Sequence, residues 1–448
     1  MENEFSFRTR ELELASLERD YFEVAIIGGG ITGAGIANIL AENNIKTVLF
    51  EKNDFASGTS SGSSKLIHGG LRYLQQGRIF EVRRLLKERD YLLKNVDIVK
   101  TLNFDILIGK SMWNKYKIKF GLFLYNLLAG KFEIPKYNHN VRYNKNISGY
   151  YTYSDGITVD SKLVIYNIVS AKKHGCKCFN YCEVVGINKL SDNISLSVND
   201  ANSGKTTTVK SRILINASGP WALNIARKFN IKPDISMKLS MGIHIVLPRE
   251  KYPAENAIVF RSIIDGRQLF LIPTGEIIYI GTTDKFVDSP EYKNVENEDI
   301  NYLIKSAEYI TGHIDINDIL FSFSGIRPLI GKSKDPGKIS RDFHISVNEN
   351  IINVLGGKLT DYRYASRKVA RKVGRILNKK ITIRNYPYID YARGKHGDMI
   401  KYEIYHECPM KPDDILRRRD AFRIYCPHKV DSMEKQIIDE MRGEGMQI

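Results

Sequence analysis

The sequence predicts an α/β protein built around a mostly parallel sheet, with a second, mixed or antiparallel region and a short helical C-terminal cap. Three observations predict this fold class. An apolar run from Val24 to Ile27 leads into three glycines and a helical pattern, and the next apolar run ends at Glu51. Further short apolar runs, separated by turns that contain Gly or Pro, follow between residues 236 and 345. Beyond Arg384 the sequence becomes more polar.

The first unit carries the pattern of a dinucleotide site. Gly28, Gly30 and Gly33 fit G-x-G-x-x-G, in which glycines let the backbone approach a pyrophosphate at a helix N-terminus. Glu51 stands about where a carboxylate accepts hydrogen bonds from a ribose 2′-hydroxyl, so NADP is disfavoured. A glycine-rich turn in another kind of α/β unit is the structural alternative.

Composition limits the class of protein. With 448 residues, the chain exceeds what one core usually serves, so two or three domains are expected. Its 67 Lys and Arg against 51 Asp and Glu give a net charge of +16. This charge suggests an anionic substrate, an anionic membrane surface or nucleic acid, and a merely basic solvated surface explains it equally well.

No stretch has the length of a membrane-spanning helix, and the charged N-terminus is unlike a secretory signal. Five cysteines, an odd number, indicate free thiols in a reducing compartment. His406, Cys408, Cys426 and His428 could ligate zinc, but they lack the paired spacing of structural zinc sites, so we expect no metal.

The segment that follows Glu51 is small and rich in hydroxyl groups, and it leads into His68-Gly69-Gly70-Leu71-Arg72-Tyr73-Leu74. Such a loop can pass close to a ligand and donate hydrogen bonds to it, whereas a flexible linker seldom runs into an aromatic and basic sequence. We therefore expect this loop to contact the ligand.

At these residues the chain resembles the FAD-dependent glycerol-3-phosphate dehydrogenases, a family of D-amino acid oxidase-like flavoproteins. The resemblance covers nearly all of residues 21 to 375, and HGGLRYL, GIRPL and GGKLT are its specific motifs. Other matching segments are INASGPWA (215 to 222), IHIVLP (243 to 248), IGTTD (280 to 284), FSGIRPL (323 to 329) and SRDFHI (340 to 345).

The resemblance implies a Rossmann-like FAD-binding domain of the glutathione-reductase or D-amino-acid-oxidase type, a substrate domain and a shortened cap. We expect the FAD-binding domain at 1–75, 150–235 and 345–380, the substrate domain at 76–149 and 236–344, and the cap at 385–448. A final helix should open at Gly356 and run to about Leu377, with its N-terminus near the flavin.

The implied reaction oxidises sn-glycerol 3-phosphate to dihydroxyacetone phosphate by hydride transfer from C2 to flavin N5. By resemblance, the substrate and phosphate contacts are Arg72, Arg327, Lys358 and Arg341. His244 is the candidate base, although a lone histidine on an alternating strand is often structural.

By the same match, His68 contacts the flavin, and Tyr73, Thr283 and Asp284 line the pocket. The other expected cofactor contacts are Gly28, Gly30, Ile31, Thr32, Gly33, Glu51, Lys52, Thr59, Ser60, Ser61, Ser64, Lys65, Leu66, Gly69, Gly70, Ala217, Ser218, Gly219, Trp221, Gly325, Arg327, Gly357, Lys358, Leu359 and Thr360.

Two departures from the family pattern stand near the pocket. Met241-Gly242-Ile243 lacks a lysine that bacterial members often carry there, and Asp361 follows Thr360 where a second threonine is common. Both weaken the assignment of the exact substrate and leave FAD binding intact.

Residues 113 to 131 combine lysines with an apolar run that is too short to span a membrane, so an interfacial helix and core packing are both open. The expected location is the cytoplasm, with attachment to the inner face of the cell membrane as an alternative. A quinone or another electron acceptor is expected, and a homodimer is left open.

Three other functions stay open. An oxidase of the same family would reduce oxygen to peroxide, and an amino acid oxidase of the wider group would need one arginine rather than a cationic cluster. A flavoprotein that binds RNA is disfavoured because the basic residues are dispersed, so no nucleic-acid partner is expected.

Overall fold

The structure is a computed structural model, and it describes residues 4–139, 146–231, 236–292, 294–331, 342–383, 399–446 and 448. The strands are β1 (Tyr21–Ile27), β2 (Thr47–Phe50), β3 (Leu66–Ile67), β4 (Lys100–Gly109), β5 (Tyr137–Asn138), β6 (Ile147–Ile157), β7 (Lys177–Phe179), β8 (Cys182–Lys189), β9 (Ile194–Asp200), β10 (Thr206–Asn216), β11 (Met237–Pro248), β12 (Ala257–Arg261), β13 (Gln268–Thr274), β14 (Ile277–Gly281), β15 (Lys285–Val287), β16 (Phe321–Ile330), β17 (Phe343–Asn348) and β18 (Ile351–Gly356). The helices are α1 (Phe7–Ser16), α2 (Ile31–Glu42), α3 (Leu71–Leu74), α4 (Ile79–Asn95), α5 (Met112–Leu128), α6 (Asp160–Lys173), α7 (Ala222–Lys228), α8 (Asn297–Thr311), α9 (Tyr362–Leu377), α10 (Met399–His406), α11 (Pro412–Asp414), α12 (Phe422–Tyr425) and α13 (Val430–Gly443).

The first sheet has the order β17-β18-β10-β1-β2-β7, and β18, β10, β1, β2 and β7 run parallel. The β8–β9 hairpin extends it through β10. Alternate residues of β1 face two different cores: Val24 and Ile26 pack with α2, α6 and α9, while Ala25 and Ile27 pack with the hairpin. Because both faces are covered, β1 reads as a continuous apolar run rather than an alternating one.

The second sheet has the order β15-β11-β14-β13-β12-β4-β6-β3, with β16 paired to β11 and β5 paired to β6. Its pairs are antiparallel, except that β12 and β4 run parallel. The helix α8 packs on one face, where Leu303 and Ala307 join the core formed by β11 and β14. The antiparallel hairpins predicted between residues 236 and 345 are therefore present in this sheet.

Some predicted boundaries differ from those in the structure. Strands β3 and β6 pair in the second sheet, whereas the sequence placed residues 66–67 and 150–157 with the first domain. The final helix begins at Tyr362 rather than at Gly356, because Gly356 and Gly357 have φ of +71° and +104°, outside the helical region.

The C-terminal helices dock on the cofactor side of the first sheet through buried ion pairs. Lys162 of α6 contacts Glu403 at 3.1 Å and Glu407 at 2.7 Å. Asp54, which follows β2, contacts Arg418 at 2.6 Å and Arg419 at 2.5 Å. Within the described residues, no helix is both long enough and apolar enough to cross a membrane.

Candidate active site

The glycine loop between β1 and α2 is closely packed. A Cβ on Gly28, whose φ is +108°, would lie 2.6 Å from the carbonyl oxygen of Ala217, and one on Gly33 would lie 1.9 Å from that of Gly28. Any side chain at these two positions would push the loop away from β10 or away from α2. The sequence therefore needs glycine here for the loop to reach the site.

Glu51 ends β2 beside this loop. Its carboxylate accepts hydrogen bonds from the backbone N–H of Gly29 at 2.8 Å and of Asn53 at 3.0 Å. Burial raises the pKa of the Glu51 carboxyl, and the two backbone bonds oppose that shift. This arrangement orients the carboxylate into the cavity where a ribose would bind.

A first cavity of about 350 Å³ runs along the glycine loop, the end of β2, residues 57–60 and the turn after β10. Its polar end is formed by the N-terminus of α2, which suits an anionic pyrophosphate. The predicted cofactor residues that line it are Gly28, Gly30, Ile31, Thr32, Glu51, Lys52, Thr59, Ser60, Ala217, Ser218, Gly219, Trp221, Gly357, Lys358 and Leu359. The glycine cradle and these donors fit a flavin dinucleotide.

A second cavity of about 240 Å³ adjoins the first, since Thr59, Gly357, Lys358 and Leu359 line both. It lies between the second sheet and the loops HGGLRYL and GGKLT. The predicted residues that line it are Thr59, Ser64, Leu66, His68, Gly70, Arg72, Tyr73, Asp284, Arg327, Gly357, Lys358, Leu359 and Thr360.

Four cationic side chains line the second cavity: Arg72, Arg267, Arg327 and Lys358. Buried carboxylates hold three of them. Asp284 contacts Arg267 and Arg327, each at 3.4 Å, and Glu81 contacts Lys358 at 2.7 Å. Arg267 and Glu81 were not predicted from the sequence. The only local signal for Arg267 is its place after an Asp-Gly turn at the start of β13.

Arg327 is fixed by acceptors in the turn after β14. Its guanidinium donates to the Thr282 hydroxyl at 2.5 Å and to the Thr283 carbonyl at 3.2 Å. Gly242 makes room for it, because a Cβ there would lie 1.8 Å from Arg327 Nη2. The absence of a side chain at Gly242 thus leaves space that this guanidinium uses.

Two motifs meet at the boundary between the cavities. The backbone N–H of His68 donates to the Thr360 hydroxyl at 3.0 Å, and that hydroxyl donates to the His68 carbonyl at 3.2 Å. The N–H of Gly69 donates to Asp155 at 3.1 Å. Burial raises the pKa of Asp155, and Arg89 at 2.7 Å opposes the shift. These bonds join HGGLRYL to GGKLT, two motifs that lie nearly 300 residues apart.

His244 lies behind the pocket wall. Its ring is 1% exposed, stacks on Phe323 at 4.6 Å, and has Nε2 2.9 Å from the Ser64 hydroxyl. Burial, followed by the positive charges of Arg327 and Lys65, puts its pKa well below the usual value, so the ring is neutral. Among the described residues that line the two cavities, Ser64 is present and His244 is not. The role of His244 as a base therefore stays a prediction, and the ring lies one hydroxyl group behind the lining of the second cavity.

Other predicted residues also lie outside the lining. Lys65 was expected to contact the cofactor, but its side chain is 1% exposed and its ammonium pairs with Asp160 at 2.7 Å beneath the loop. Gly33, Ser61, Gly69, Thr283 and Gly325 are not among the described residues that line either cavity. Arg341 lies outside the described residues.

The four residues considered for zinc are not brought together. Cys408 is buried, and burial raises the pKa of its thiol to about 12, while His428 lies 3.5 Å from Glu276. Within the described part of the chain, no three His, Cys, Asp or Glu side chains group closely enough to hold a metal ion.

An elongated dinucleotide cavity that opens into a cation-lined pocket fits a flavin-dependent oxidoreductase. The chain belongs to the FAD dependent oxidoreductase family, whose model matches residues 23–358, and within it to the family of the aerobic glycerol-3-phosphate dehydrogenases. The predicted fold class, family and FAD cofactor are thereby confirmed.

Two relatives illustrate the match. The aerobic glycerol-3-phosphate dehydrogenase of Staphylococcus haemolyticus is 32% identical over 393 residues, which is 83% of this chain and 70% of the relative. The aerobic glycerol-3-phosphate dehydrogenase of Staphylococcus aureus is 34% identical over 389 residues, which is 83% of this chain and 70% of the relative.

Two solved structures share the fold. The glycerol-3-phosphate dehydrogenase from Bacillus halodurans, complexed with FAD, has a TM-score of 0.78 at 24% identity and covers 98% of this chain and 94% of its own. The L-alpha-glycerophosphate oxidase from Mycoplasma pneumoniae, with FAD bound, has a TM-score of 0.66 at 18% identity. The match covers 82% of this chain and 98% of the oxidase.

Proposed function

We propose that this enzyme oxidises sn-glycerol 3-phosphate to dihydroxyacetone phosphate with FAD as the cofactor. The observation that carries the proposal is the set of four cations, Arg72, Arg267, Arg327 and Lys358, in a small cavity that adjoins the dinucleotide cavity. A phosphate dianion suits this charge, and an amino acid carboxylate would need fewer cations. The names of the relatives support the same substrate.

The cationic residues of the second cavity are the proposed phosphate-binding groups. Arg327 and Arg72 bind the phosphate, since a guanidinium donates two parallel hydrogen bonds to a pair of oxygens. Asp284 and Glu81 hold the cations in place and offset part of their charge. A bound FAD would supply the hydride acceptor for C2 of the alcohol.

The substrate hydroxyl must also lose a proton. We propose that it passes through Ser64, which lines the cavity, to Nε2 of His244 at 2.9 Å. This role requires the neutral tautomer of His244 with its proton on Nδ1, in which Nε2 accepts from the Ser64 hydroxyl, and the lowered pKa makes the ring a weak base that releases the proton again readily.

The test of this proposal is anaerobic mixing of the purified enzyme with glycerol 3-phosphate while the oxidised flavin absorbance is followed. We expect the flavin band to bleach with glycerol 3-phosphate and to stay largely unchanged with glycerol at the same concentration. The proposal fails if neither compound bleaches the flavin, and its phosphate assignment fails if glycerol bleaches it equally well.

We further propose that the enzyme attaches to the inner face of the cell membrane and passes its electrons to a quinone there. The helix α5 supports this proposal. Its side chains Trp113 and Phe120 are 77% and 67% exposed, and the nearby Phe132 is 79% exposed. Lys115, Lys117 and Lys119 alternate along the same helix. An apolar surface with interspersed cations suits the headgroup region of an anionic membrane. Leu122 and Tyr125 of α5 are buried, and Ile118 and Leu128 pack against the core, so the exposed apolar surface of the helix is the part formed by Met112, Trp113, Tyr116, Phe120 and Leu127.

This membrane proposal predicts co-sedimentation with vesicles. We expect the enzyme to bind phosphatidylglycerol vesicles in low salt, to bind phosphatidylcholine vesicles weakly, and to lose most of its binding in the Trp113→Ser and Phe120→Ser double variant. Leu12→Ser, at a side chain that is 74% exposed on α1, is the control and should bind as the unmodified enzyme does. Equal binding of both variants would contradict the role of α5.

The electron acceptor is tested separately. Peroxide formation with oxygen as the preferred acceptor would favour the oxidase alternative.

A further inference from the structure

One face of α4 carries a row of charges that meets the region of the GGKLT motif. Glu81, Arg84 and Glu88 lie at spacings of three and four residues, so they share one face of the helix. Each of them forms an ion pair with a residue of opposite charge at or after Lys358. The pairs are Glu81–Lys358 at 2.7 Å, Arg84–Asp361 at 3.0 Å and Glu88–Arg363 at 3.5 Å.

This row connects the two loops that line the substrate cavity. Helix α4 begins a few residues after Arg72 and Tyr73, and α9 begins directly after the GGKLT loop. Asp361, which stands where the family pattern commonly has a second threonine, belongs to this row. Its carboxylate accepts a hydrogen bond from the backbone N–H of Lys358 at 3.3 Å and contacts Arg84. The position of Lys358 is therefore set by both its backbone and its side chain.

Glu81 is the member of the row whose partner, Lys358, lines the second cavity. One of its carboxylate oxygens contacts Lys358 Nζ at 2.7 Å, and the other contacts Arg78 Nε. Both cations lie over the ring of Tyr73, each 5.2 Å from its centroid. Glu81 and Lys358 are each 7% exposed, so each charge depends on the other for its compensation.

We propose that Glu81 is a positioning residue for substrate binding: it holds the Lys358 ammonium and, through Arg78, the Tyr73 ring at the wall of the second cavity. The proposal rests on the proposed function, because it takes Lys358 and Tyr73 as contacts of a phosphorylated alcohol. Glu81 itself does not line either cavity among the described residues, so it acts through its two partners.

A glutamine at position 81 would keep the shape of the side chain and lose its charge. Its amide has one oxygen, whereas the carboxylate contacts a different cation with each of its two oxygens, so one cation would face an N–H donor. Lys358 would then lose its fixed direction towards the cavity. We expect KM for glycerol 3-phosphate to rise about tenfold in Glu81→Gln, while kcat changes less than about threefold.

Glu88 provides a matched control on the same helix. Like Glu81 it is buried and pairs with two cations, Arg363 and Arg367, but neither of these lines the two cavities among the described residues. We expect Glu88→Gln to lower the thermal midpoint about as much as Glu81→Gln does and to leave KM unchanged. Glu81→Asp keeps the charge, and we expect its KM to lie within about threefold of the unmodified enzyme.

The readouts are anaerobic flavin reduction by glycerol 3-phosphate and the rise in thermal midpoint caused by dihydroxyacetone phosphate. The second readout measures binding without turnover, and it should shrink in Glu81→Gln only. The inference is overturned if Glu81→Gln and Glu88→Gln give the same KM, or if Glu81→Asp behaves as Glu81→Gln does. If the unmodified enzyme is not reduced by glycerol 3-phosphate, the proposed function has failed instead, so the two failures are distinguishable.

Discussion

We expect the Arg327→Ala variant to lose at least about 100-fold in kcat/KM for glycerol 3-phosphate, mostly through a higher KM. If Arg327 binds the phosphate as we propose, truncation removes a charge-assisted pair of hydrogen bonds in a partly buried cavity, a loss of about 3 kcal/mol. It also leaves Asp284 with Arg267 as its one remaining arginine partner among the contacts described above. Steady-state rates with an artificial acceptor and anaerobic flavin reduction both measure this loss.

Two comparisons show whether the loss comes from the phosphate. Turnover of glycerol, which has no phosphate, should change little in Arg327→Ala, and an equal loss for both compounds would contradict the assigned role. Gly242→Ala keeps the arginine, but the new methyl group would displace its Nη2, which lies 1.8 Å from the place that the added carbon would take. We expect this variant to lose activity in the same direction and to a smaller extent, since a flexible side chain can move aside.

The dinucleotide half of the site could be predicted from the sequence because its determinants are local. Strand β1, the three glycines, α2 and β2 follow one another within about thirty residues, and each element constrains the next. The structure explains why the glycine pattern is informative: the close approaches at Gly28 and Gly33 exclude any side chain at these two positions. A pattern that depends on neighbours in the chain can be recognised without knowing the tertiary structure.

The position of His244 could not be predicted in the same way. On a strand with one solvated face, alternation shows which residues point inwards. In β11, however, residues 240 to 247 are all buried, because neighbouring elements cover both faces of the strand. The sequence therefore places His244 on a buried strand without showing whether the ring faces the cavity or the layer behind it. Lys65 is a similar case, since its partner Asp160 lies on another element.

The partners of the pocket cations are the other feature that the sequence could not provide. Glu81 and Lys358 are separated by 277 residues, and Arg267 reaches Asp284 across adjacent strands. A single lysine or arginine in a sequence looks like a solvated surface charge, and only the fold shows which carboxylate compensates it. The misplaced boundaries at β3 and β6 have the same cause, because strand pairing joins segments that are distant in the chain.

The C-terminal region contacts the cofactor-binding part of the chain through Asp54, which lies three residues after Glu51. Arg419 binds the Asp54 carboxylate with two hydrogen bonds, at 2.5 and 3.0 Å, and also donates to the Glu407 carbonyl at 2.9 Å. Burial alone would raise the pKa of Asp54, but Arg419 and Arg418 lower it to about 2. The side chains of Asp54 and Arg419 are both fully buried, and without Arg419 the Asp54 carboxylate would keep only Arg418 as a partner among the contacts described above.

We expect Arg419→Met to lower the free energy of unfolding by about 3–5 kcal/mol, because it removes one partner of a buried ion pair. Since Asp54 leads into the loop of residues 57–60 that lines the dinucleotide cavity, FAD should also dissociate more readily. Urea unfolding and the release of flavin on dilution measure the two effects. Arg417→Ala is the control. Its partner Asp413 is 40% exposed, and surface ion pairs of this kind contribute little to the free energy of unfolding, so we expect this variant to unfold as the unmodified enzyme does.

The pH dependence distinguishes this ion pair from a loss of packing. In the unmodified enzyme the lowered pKa of Asp54 contributes stability above the unfolded value of about 4, and this contribution is lost as the pH falls towards 2. Without Arg419, only Arg418 remains to oppose the effect of burial, so the folded pKa of Asp54 rises and the carboxyl takes up its proton at a higher pH. The difference in unfolding free energy between the two proteins should therefore narrow as the pH falls from this higher pKa towards 2. A difference that stays constant over this range would mean that Arg419 stabilises the protein by packing rather than by charge.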